Sequence, residues 1–353
     1  MPVLSIAVLL TLLSCARSFD VVGWWVGTNL TDLERLNWDV YTSVRFGGVL
    51  VGPEGTVTGC DPMGGAFAEM LRVTQRHNTT VTLAAITGPC SWKDTNATTM
   101  RFCQTFLKTL GPAVRSCGPN IAGMEFDREG DHERILNIAT GQAGIVSRAE
   151  ATWFTRLMDS MQKSMGEEYT VSEDIGMWGF GSVTSHGDAY PFNLLTPWVD
   201  AEIIKANPNL FVNTMSYHWR QDCSIKPWQR DATVVNEFWG IPKSQVNLGI
   251  GFYSYNHTGI PGEKPWVYHG EPTWSRLSKL CPDIPEDVCE CQGIPFTSKR
   301  ECFLIGQLVK QEGFRGVFPW AANYDTMDPA NSLIRYVGLG LGLINKGAVA
   351  GTD

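Results

Sequence analysis

Short apolar runs alternate with amphipathic stretches along almost the whole chain, and turns rich in Gly, Pro, Asn and Asp separate them. Eight runs have the length and composition of buried strands, and they cover residues 19–27, 40–51, 79–87, 120–127, 169–176, 210–217, 245–255 and 314–321. Between them, apolar residues recur at three- and four-residue spacing, which predicts helices over 65–77, 98–114, 148–163 and 303–313. Strands that alternate with helices predict a parallel sheet of the α/β class.

The number of predicted strands narrows the fold. Eight strand–helix units in a chain of 353 residues favour one (β/α)8 TIM barrel. An open doubly wound sheet is the alternative, and it is disfavoured because no glycine-rich nucleotide turn follows the first strand. Residues 256–298 break the rhythm and are rich in Pro, Gly and Cys. We expect them to form a disulfide-stapled excursion between the seventh and eighth strands rather than a separate domain.

The first residues have the character of a signal peptide. An apolar run from Val3 to Leu13 precedes small residues, and it suits a signal-peptide core while being too short to span a bilayer. The segment before the run lacks Lys and Arg, but cleavage after Ala16 or Ser18 fits the small-residue pattern. We therefore predict a signal peptide over residues 1–18 and one catalytic domain over 19–353. No later stretch has the length of a membrane anchor, so we expect a secreted chain, or one in a lysosomal or other endomembrane lumen, with no membrane partner.

Cysteine usage fits an oxidising compartment. Cys15 falls within the signal peptide, which leaves nine of the 10 cysteines and permits up to four disulfides with one odd thiol. The pairing stays open. Zinc binding by residues 281–292 is a competing interpretation, disfavoured because the segment lacks paired CxxC spacing and a nearby His, so we expect no metal. N-x-[ST] sequons begin at Asn29, Asn78, Asn96 and Asn256 and indicate a glycosylated secretory protein.

Charge and aromatic content restrict the partners. The formal net charge of −8 provides no basic surface, which argues against nucleic acid. The 43% hydrophobic content supports a large core, and 13 Trp suggest stacking platforms in addition to core packing. We expect a monomer with no cofactor.

Acids and aromatic residues gather where the predicted strands end. Barrel enzymes place their chemistry at the carboxyl ends of the strands. These ends carry Trp24, Trp25, Asp127, Glu129, Glu173, Asp174, Met215, Tyr217, His218, Tyr253, Tyr255 and Trp320. Sugars offer apolar C–H faces for stacking and hydroxyls for hydrogen bonds, so this set predicts a carbohydrate site.

Three of the acids share one strand. Glu125, Asp127 and Glu129 alternate along the fourth predicted strand, so all three point to one face. Crowded like charges favour retention of a proton, and a protonated carboxyl is what a glycosidic oxygen requires. Glu129, at the rim, is the best-placed donor, Asp127 lies one layer deeper, and Glu125 lies deeper again. Two alternatives are a solvated strand end, and a two-carboxylate glycosidase in which Glu173 and Asp174 act with Glu129.

These residues carry a family resemblance. "AGMEFDREG" (122–130) resembles the DGxDxDxE segment of the family 18 glycoside hydrolases, the chitinase family. The first, sixth, seventh and eighth strands of that family resemble "VVGWWVG" (21–27), "LFVNTMSYHW" (210–219), "NLGIGFYSY" (247–255) and "GVFPWAANYD" (316–325). The matches occur in order and span residues 20–325.

The resemblance implies a retaining hydrolysis of β-1,4-linked N-acetylglucosamine in which the N-acetyl oxygen of the substrate attacks the anomeric carbon. It implies that Glu129 is the general acid and then the base, and that Asp127 holds the acetamido N–H. It also implies that Tyr217 bonds the acetamido oxygen, and that Trp320 forms the floor of a subsite lined by Met215. We further predict that Trp24, Glu125, His218 and Tyr253 contact the substrate.

Four positions depart from the family pattern. Ala122 replaces its first Asp, Glu125 its middle Asp, Arg128 an aromatic residue and His218 an Asp. Glu125 keeps the charge but adds a methylene, which predicts crowding of Asp127. Two further function classes therefore stay open beside hydrolysis: a catalytically silent lectin for N-acetylglucosamine oligosaccharides, and a barrel scaffold that binds proteins as an inhibitor. The retained Glu129 favours hydrolysis.

Overall fold

The computed structural model describes residues 19–60, 64–85, 90, 96–127, 148–177, 198–217, 223–254 and 273–345. Its strands are β1 Asp20–Trp24, β2 Ser43–Val51, β3 Val57–Cys60, β4 Thr80–Ala85, β5 Ile121–Phe126, β6 Thr170–Gly176, β7 Leu210–Met215, β8 Val246–Gly251, β9 Glu290–Cys291, β10 Ile294–Pro295 and β11 Gly316–Trp320. The predicted signal peptide, residues 1–18, lies outside the described residues.

Helices connect most of these strands. They are α1 Ala66–Arg76, α2 Ala97–Cys117, α3 Arg148–Met165, α4 Ala201–Ala206, α5 Lys226–Thr233, α6 Trp274–Leu280, α7 Lys299–Glu312 and α8 Leu333–Leu341. A π-helical turn, Val234–Phe238, continues α5, and short 3-10 turns occupy Leu33–Arg35, Lys243–Gln245 and Ala322–Tyr324.

Eight parallel strands close into a barrel. Their order is β1, β11, β8, β7, β6, β5, β4, β2, and β1 pairs with both β11 and β2. Because the first strand is bonded on both sides, the sheet has no open edge there, which confirms the TIM barrel and excludes the open doubly wound sheet.

The sequence pattern locates the main elements well. Each of the eight predicted strands contains one barrel strand, and each of the four predicted helices coincides with a helix whose ends differ by a few residues. The pattern misses β3, which pairs antiparallel with β2, and the β9–β10 hairpin. Both are too short to show a period of their own.

Alternation along the strands separates two cores. Apolar residues at one parity, such as Val21, Met124 and Leu248, are fully buried in the layer between barrel and helices. Residues at the other parity point into the barrel, where the upper layers are largely polar and aromatic. The same strands therefore build the hydrophobic core and present side chains to the barrel interior.

The excursion after β8 is stapled as the sequence predicts. Its described part holds α6 and the β9–β10 hairpin, and the disulfides Cys281–Cys291 and Cys223–Cys289 tie it together and to the segment before α5. Further disulfides are Cys60–Cys117 and Cys90–Cys103. The zinc interpretation is wrong, because the cysteines of that segment are consumed in disulfides. Cys302 is buried in α7 and takes part in none of the four, so the predicted four disulfides and one remaining cysteine are confirmed.

None of the helices in the described ranges combines the length and the apolar character that crossing a membrane would require.

A capping box fixes the start of α7, the helix that leads into β11. The buried Ser298 Oγ accepts from the Glu301 backbone N–H at 3.1 Å, and Glu301 Oε2 accepts from the Ser298 N–H at 2.8 Å. We expect Ser298→Ala to lower the free energy of unfolding by about 1–2 kcal/mol in urea denaturation, because it orphans a buried helix-end N–H. Thr273→Ala is the matched control, since Thr273 precedes α6 without a side-chain cap and should cost less. Equal losses in the two variants would contradict this role of the cap.

Candidate active site

Aromatic side chains from several strands meet at the carboxyl end of the barrel. Trp24 ends β1, Trp320 ends β11, and Tyr217 and Tyr253 follow β7 and β8 by two residues. Together with Met215 they belong to one cluster, which Val22, Phe318 and Tyr324 complete. The structure thus brings together the aromatic residues and the methionine that the sequence proposes as substrate contacts.

Two tryptophans form the most closely packed part of this cluster. The ring centroids of Trp24 and Trp320 lie 4.4 Å apart, and Trp24 also meets Phe318 edge-on at 6.3 Å. Trp25 faces the other way, is buried in the core around the barrel, and donates from Nε1 to the Asn29 carbonyl at 3.2 Å. The prediction that only one of the paired tryptophans faces inward is confirmed.

The tyrosines form the opposite side of the cluster. Tyr253 packs edge-on against Tyr217 at 6.0 Å and against Tyr324 at 6.3 Å. Tyr217 and Tyr253 are both 8% exposed, so each is mostly buried yet retains surface toward solvent. The two rings form a closely packed wall, and the hydroxyl oxygen of Tyr217 is buried within it.

A buried ion pair lies beneath the aromatic cluster. Arg45 Nε, on β2, is 3.0 Å from Glu125 Oε1, on β5, and the Glu125 side chain is fully buried. The Arg45 guanidinium also lies 3.1 Å from the centroid of the Trp24 ring. Sequence reasoning misses Arg45. The available signal is its charge within the apolar run 40–51, because an arginine on a buried strand requires a counter-charge.

Asparagine side chains tie the acids together. Asn213 Nδ2 donates to Glu125 Oε2 at 2.9 Å and to Asp174 Oδ1 at 2.8 Å. Asn247 Nδ2 in turn donates to Asn213 Oδ1 at 2.9 Å. Both asparagines are fully buried. Asn213 therefore donates to both acids from a position that its own hydrogen bond with Asn247 fixes. We refer to Arg45, Glu125, Asp174, Asn213 and Asn247 as the interior polar cluster.

Glu173 and Asp174 do not act as a pair on one face. Asp174 points into the barrel and contacts Asn213, whereas its neighbour Glu173 takes the opposite parity and faces the surrounding helices. Strand alternation therefore places only Asp174 of this pair toward the interior, and the two-carboxylate alternative with Glu129 stays a prediction.

Burial determines the protonation of the acids. It raises the pKa of Glu125 to about 7, against the lowering effect of Arg45 and with a further increase from Asp127. Burial also raises the pKa of Asp174 well above its usual value, as do the charges of Glu125 and Asp127. The sequence predicts a retained proton from like-charge repulsion, but desolvation is the larger cause here.

Asp127 is the described acid nearest the rim. It follows β5 directly and is only partly buried, and burial raises the pKa of its carboxyl while Arg45 opposes the rise. Its Oδ1 is buried and has no hydrogen-bond partner among the described residues. A buried acceptor without a donor can receive an N–H from a ligand, since leaving it unpaired costs free energy.

Four residues named in the sequence analysis of the site lie outside the described part of the chain: Arg128, Glu129, His218 and Tyr255. Their roles stay predictions. In the ranges that the structure describes, no group of His, Cys, Asp and Glu is arranged to hold a metal ion.

No model of a protein family and no curated protein matches the sequence. Solved structures do match. A chitinase from Bacteroides thetaiotaomicron has a TM-score of 0.60 and 14% identity over 93% of this chain and 97% of that one. The GH18 chitinase ChiB from the chitin utilization locus of Flavobacterium johnsoniae has a TM-score of 0.59 and 14% identity, over 92% of this chain and 94% of that one. A plant class V chitinase mutant from Cycas revoluta, in complex with (GlcNAc)3, has a TM-score of 0.58 and 16% identity, over 92% of this chain and 100% of that one.

The structural neighbours therefore include family 18 chitinases, and they match nearly the whole chain. The resemblance first seen in the strand motifs extends to the fold. At these identities the likeness shows a shared barrel, and it leaves the chemistry to be argued from the residues of this chain.

Stability should fall as the pH rises through neutrality. Glu125 has a pKa of about 7 in the folded state against 4.5 as its ordinary value, so its stabilising contribution is present at acidic pH and lost as pH rises through the folded pKa. We expect roughly 2–3 kcal/mol less free energy of unfolding at about pH 8 than at about pH 5 from this group. Urea titrations at both pH values measure the difference.

Glu125→Gln should reduce this fall but not remove it, since Asp174 and Asp325 are also buried with a raised pKa. The exposed Glu167→Gln is the control and should keep the wild-type difference. A wild-type free energy of unfolding that rises between these two pH values would contradict the predicted fall.

Proposed function

We propose that this chain is a secreted glycoside hydrolase that cleaves β-1,4-linked N-acetylglucosamine in chitin or chito-oligosaccharides. The observation that carries the proposal is the convergence of Trp24, Trp320, Tyr217 and Asp127 at one end of the barrel, above acids whose pKa burial raises. The fold shared with chitinases, one of them in complex with (GlcNAc)3, supports the same substrate class.

The aromatic cluster suits a pyranose ring. Trp320 is partly exposed at the end of β11 and offers a flat face for the C–H groups of the sugar. Trp24 supports it from beneath at 4.4 Å, while Met215 and Tyr253 line the side. In this proposal Trp320 is the floor of the subsite that holds the reacting sugar.

The reaction uses the acetamido group of the substrate as nucleophile. Its carbonyl oxygen attacks the anomeric carbon. The bond from that carbon to the glycosidic oxygen breaks as Glu129 gives the glycosidic oxygen a proton, and the leaving sugar departs. Water then attacks the anomeric carbon of the oxazolinium ion as Glu129 takes a proton from the water. The bond from that carbon to the acetamido oxygen breaks, which regenerates the N-acetyl group, and the product keeps the β configuration. Asp127 accepts the acetamido N–H on its buried Oδ1, and Tyr217 donates to the acetamido oxygen.

Secretion is the accompanying proposal. The disulfides described above form and persist in oxidising compartments, which agrees with the apolar N-terminal run. The sequon asparagines Asn29, Asn78 and Asn96 are exposed, so their side chains are accessible to glycosylation.

A catalytically silent lectin is the second candidate. The observation that favours it is the Arg45–Glu125 ion pair, which places a cation against Glu125, the residue at the position where the family segment has an aspartate. Such a site would keep the sugar-stacking wall but lose part of the charge balance that supports the reaction. Hydrolysis itself separates the two candidates.

Replacement of the proposed acid tests the function directly. We expect Glu129→Gln to lower kcat on a fluorogenic chitotrioside by roughly 100- to 10,000-fold, because the leaving oxygen loses its proton donor, while calorimetric binding of chitotriose is preserved. Glu167→Gln, exposed and before β6, should keep wild-type rates. Equal, background-level release by wild type and variant with intact binding would reject the enzyme and leave the lectin.

The stereochemistry and the acetamido requirement test the mechanism. Proton NMR during the first turnovers of chitotetraose should show the β anomer before mutarotation, because the two displacements at the anomeric carbon retain configuration. A fluorogenic cellotrioside, which lacks the N-acetyl group, should not be cleaved. First appearance of the α anomer, or equal rates on the two substrates, would contradict participation of the acetamido group.

A further inference from the structure

We propose that Arg45 is a positioning residue of the site, which holds Glu125 and Trp24 in place and keeps Asp127 available as an acceptor for the substrate acetamido N–H. The inference rests on the proposed function for its kinetic consequences. The geometry that leads to it belongs to the described residues alone.

Arg45 is anchored at one end by charge. Its side chain is 7% exposed, and its Nε lies 3.0 Å from the fully buried Glu125 carboxylate. A buried ion pair of this kind is costly to assemble and costlier to break, because removal of one partner leaves an uncompensated charge. Such a pair is a rigid connection between β2 and β5 across the barrel interior.

The same guanidinium also supports the aromatic wall. It lies 3.1 Å from the Trp24 ring centroid, and the β1–β2 register pairs Trp24 directly with Arg45. Trp24 in turn packs on Trp320 at 4.4 Å. Arg45 therefore contacts the acids through its charge and the sugar-stacking tryptophans through its planar face.

Arg45 is surrounded by acids. Glu125 and Asp127 face it from β5 and the residue after it, Asp174 faces it from β6, and the Tyr217 hydroxyl faces it from the end of β7. Burial lowers the pKa of Arg45, and the charges of the acids oppose that fall. Burial raises the pKa of the three carboxyls, and Arg45 opposes the rise in each. One cation thus offsets the desolvation of several carboxyls.

The charge of Arg45 also affects the protonation of Asp127, the proposed acceptor for the acetamido N–H. A carboxylate accepts an N–H, whereas a carboxylic acid that has taken up a proton is a weaker acceptor. Loss of the cation favours the protonated form, so the acetamido group is held less well at acidic pH. The acid limb of the pH–rate profile should then move to higher pH.

Two substitutions separate charge from shape. Arg45→Lys keeps the cation but loses the planar guanidinium over Trp24, whereas Arg45→Met keeps much of the apolar length and loses the charge. Charge should determine the pH profile. The planar shape should determine how well Trp24 and Trp320 stack on the sugar, and therefore the KM.

Arg315 provides a matched control at the other end of the barrel. It precedes β11, pairs with Asp20, and lies 4.1 Å over the Phe211 ring, so it repeats the ion pair and the aromatic stack away from the proposed site. Arg315→Met should lower stability without altering the pH profile. A merely structural role for Arg45 would make the two methionine variants alike.

The experiment is a set of pH profiles of kcat and KM on a fluorogenic chitotrioside. For Arg45→Met we expect the acid limb to move up by about 1 pH unit or more, because Arg45 lowers the pKa of Asp127 and a nearby opposite charge typically does so by about that amount. For Arg45→Lys we expect a wild-type limb with a severalfold higher KM. An unmoved limb in Arg45→Met, or the same shift in Arg315→Met, would overturn the proposal.

A second readout does not depend on hydrolysis. If the wild type proves inactive, the proposed function fails, and Arg45 is tested by the fall in unfolding free energy between about pH 5 and about pH 8, which should be larger in Arg45→Met than in Arg315→Met. If Arg45→Met does not fold, the double variant Arg45→Met, Glu125→Gln should restore folding, because it removes the uncompensated acid. Absence of both effects would overturn the proposal.

Discussion

The interior of this barrel depends on the pairing of one buried cation with buried acids. Arg45 and Glu125 are both withdrawn from water, and each would be costly alone. The asparagines that donate to Glu125 and Asp174 complete the arrangement, because they satisfy carboxylate oxygens that a single guanidinium cannot reach. A core of hydrocarbon would be simpler to stabilise, so this polar core depends on its ion pair and hydrogen bonds staying intact.

Strand alternation explains how the same segments provide stability and chemistry. On β5, Met124 and Phe126 pack outward while Glu125 and Asp127 point inward. A shift of one residue in register would place both acids among the helices and the apolar pair in the barrel. The buried outer face therefore fixes the orientation of the acids, and the aromatic cluster above them follows from the same parity on β1 and β11.

Much of this arrangement could be predicted from the sequence, and the exceptions have physical causes. The barrel strands, the inward Trp24 and the depth order of Glu125 and Asp127 follow from period and alternation, which are local properties of the chain. Arg45 and the bridging Asn213 could not be predicted, because their significance lies in partners on distant strands. The disulfide pairing was open for the same reason, since nothing local joins Cys223 to Cys289.

Glu125, where the family segment has an aspartate, contacts Arg45 in the structure. From the sequence alone, the added methylene predicts crowding of Asp127. In the structure the longer side chain extends to Arg45 at 3.0 Å and to Asn213 at 2.9 Å, so its carboxylate is bound within the barrel wall. The cation on β2 thus holds the Glu125 carboxylate, while Asp127 keeps a buried oxygen, Oδ1, that accepts no hydrogen bond from a described residue.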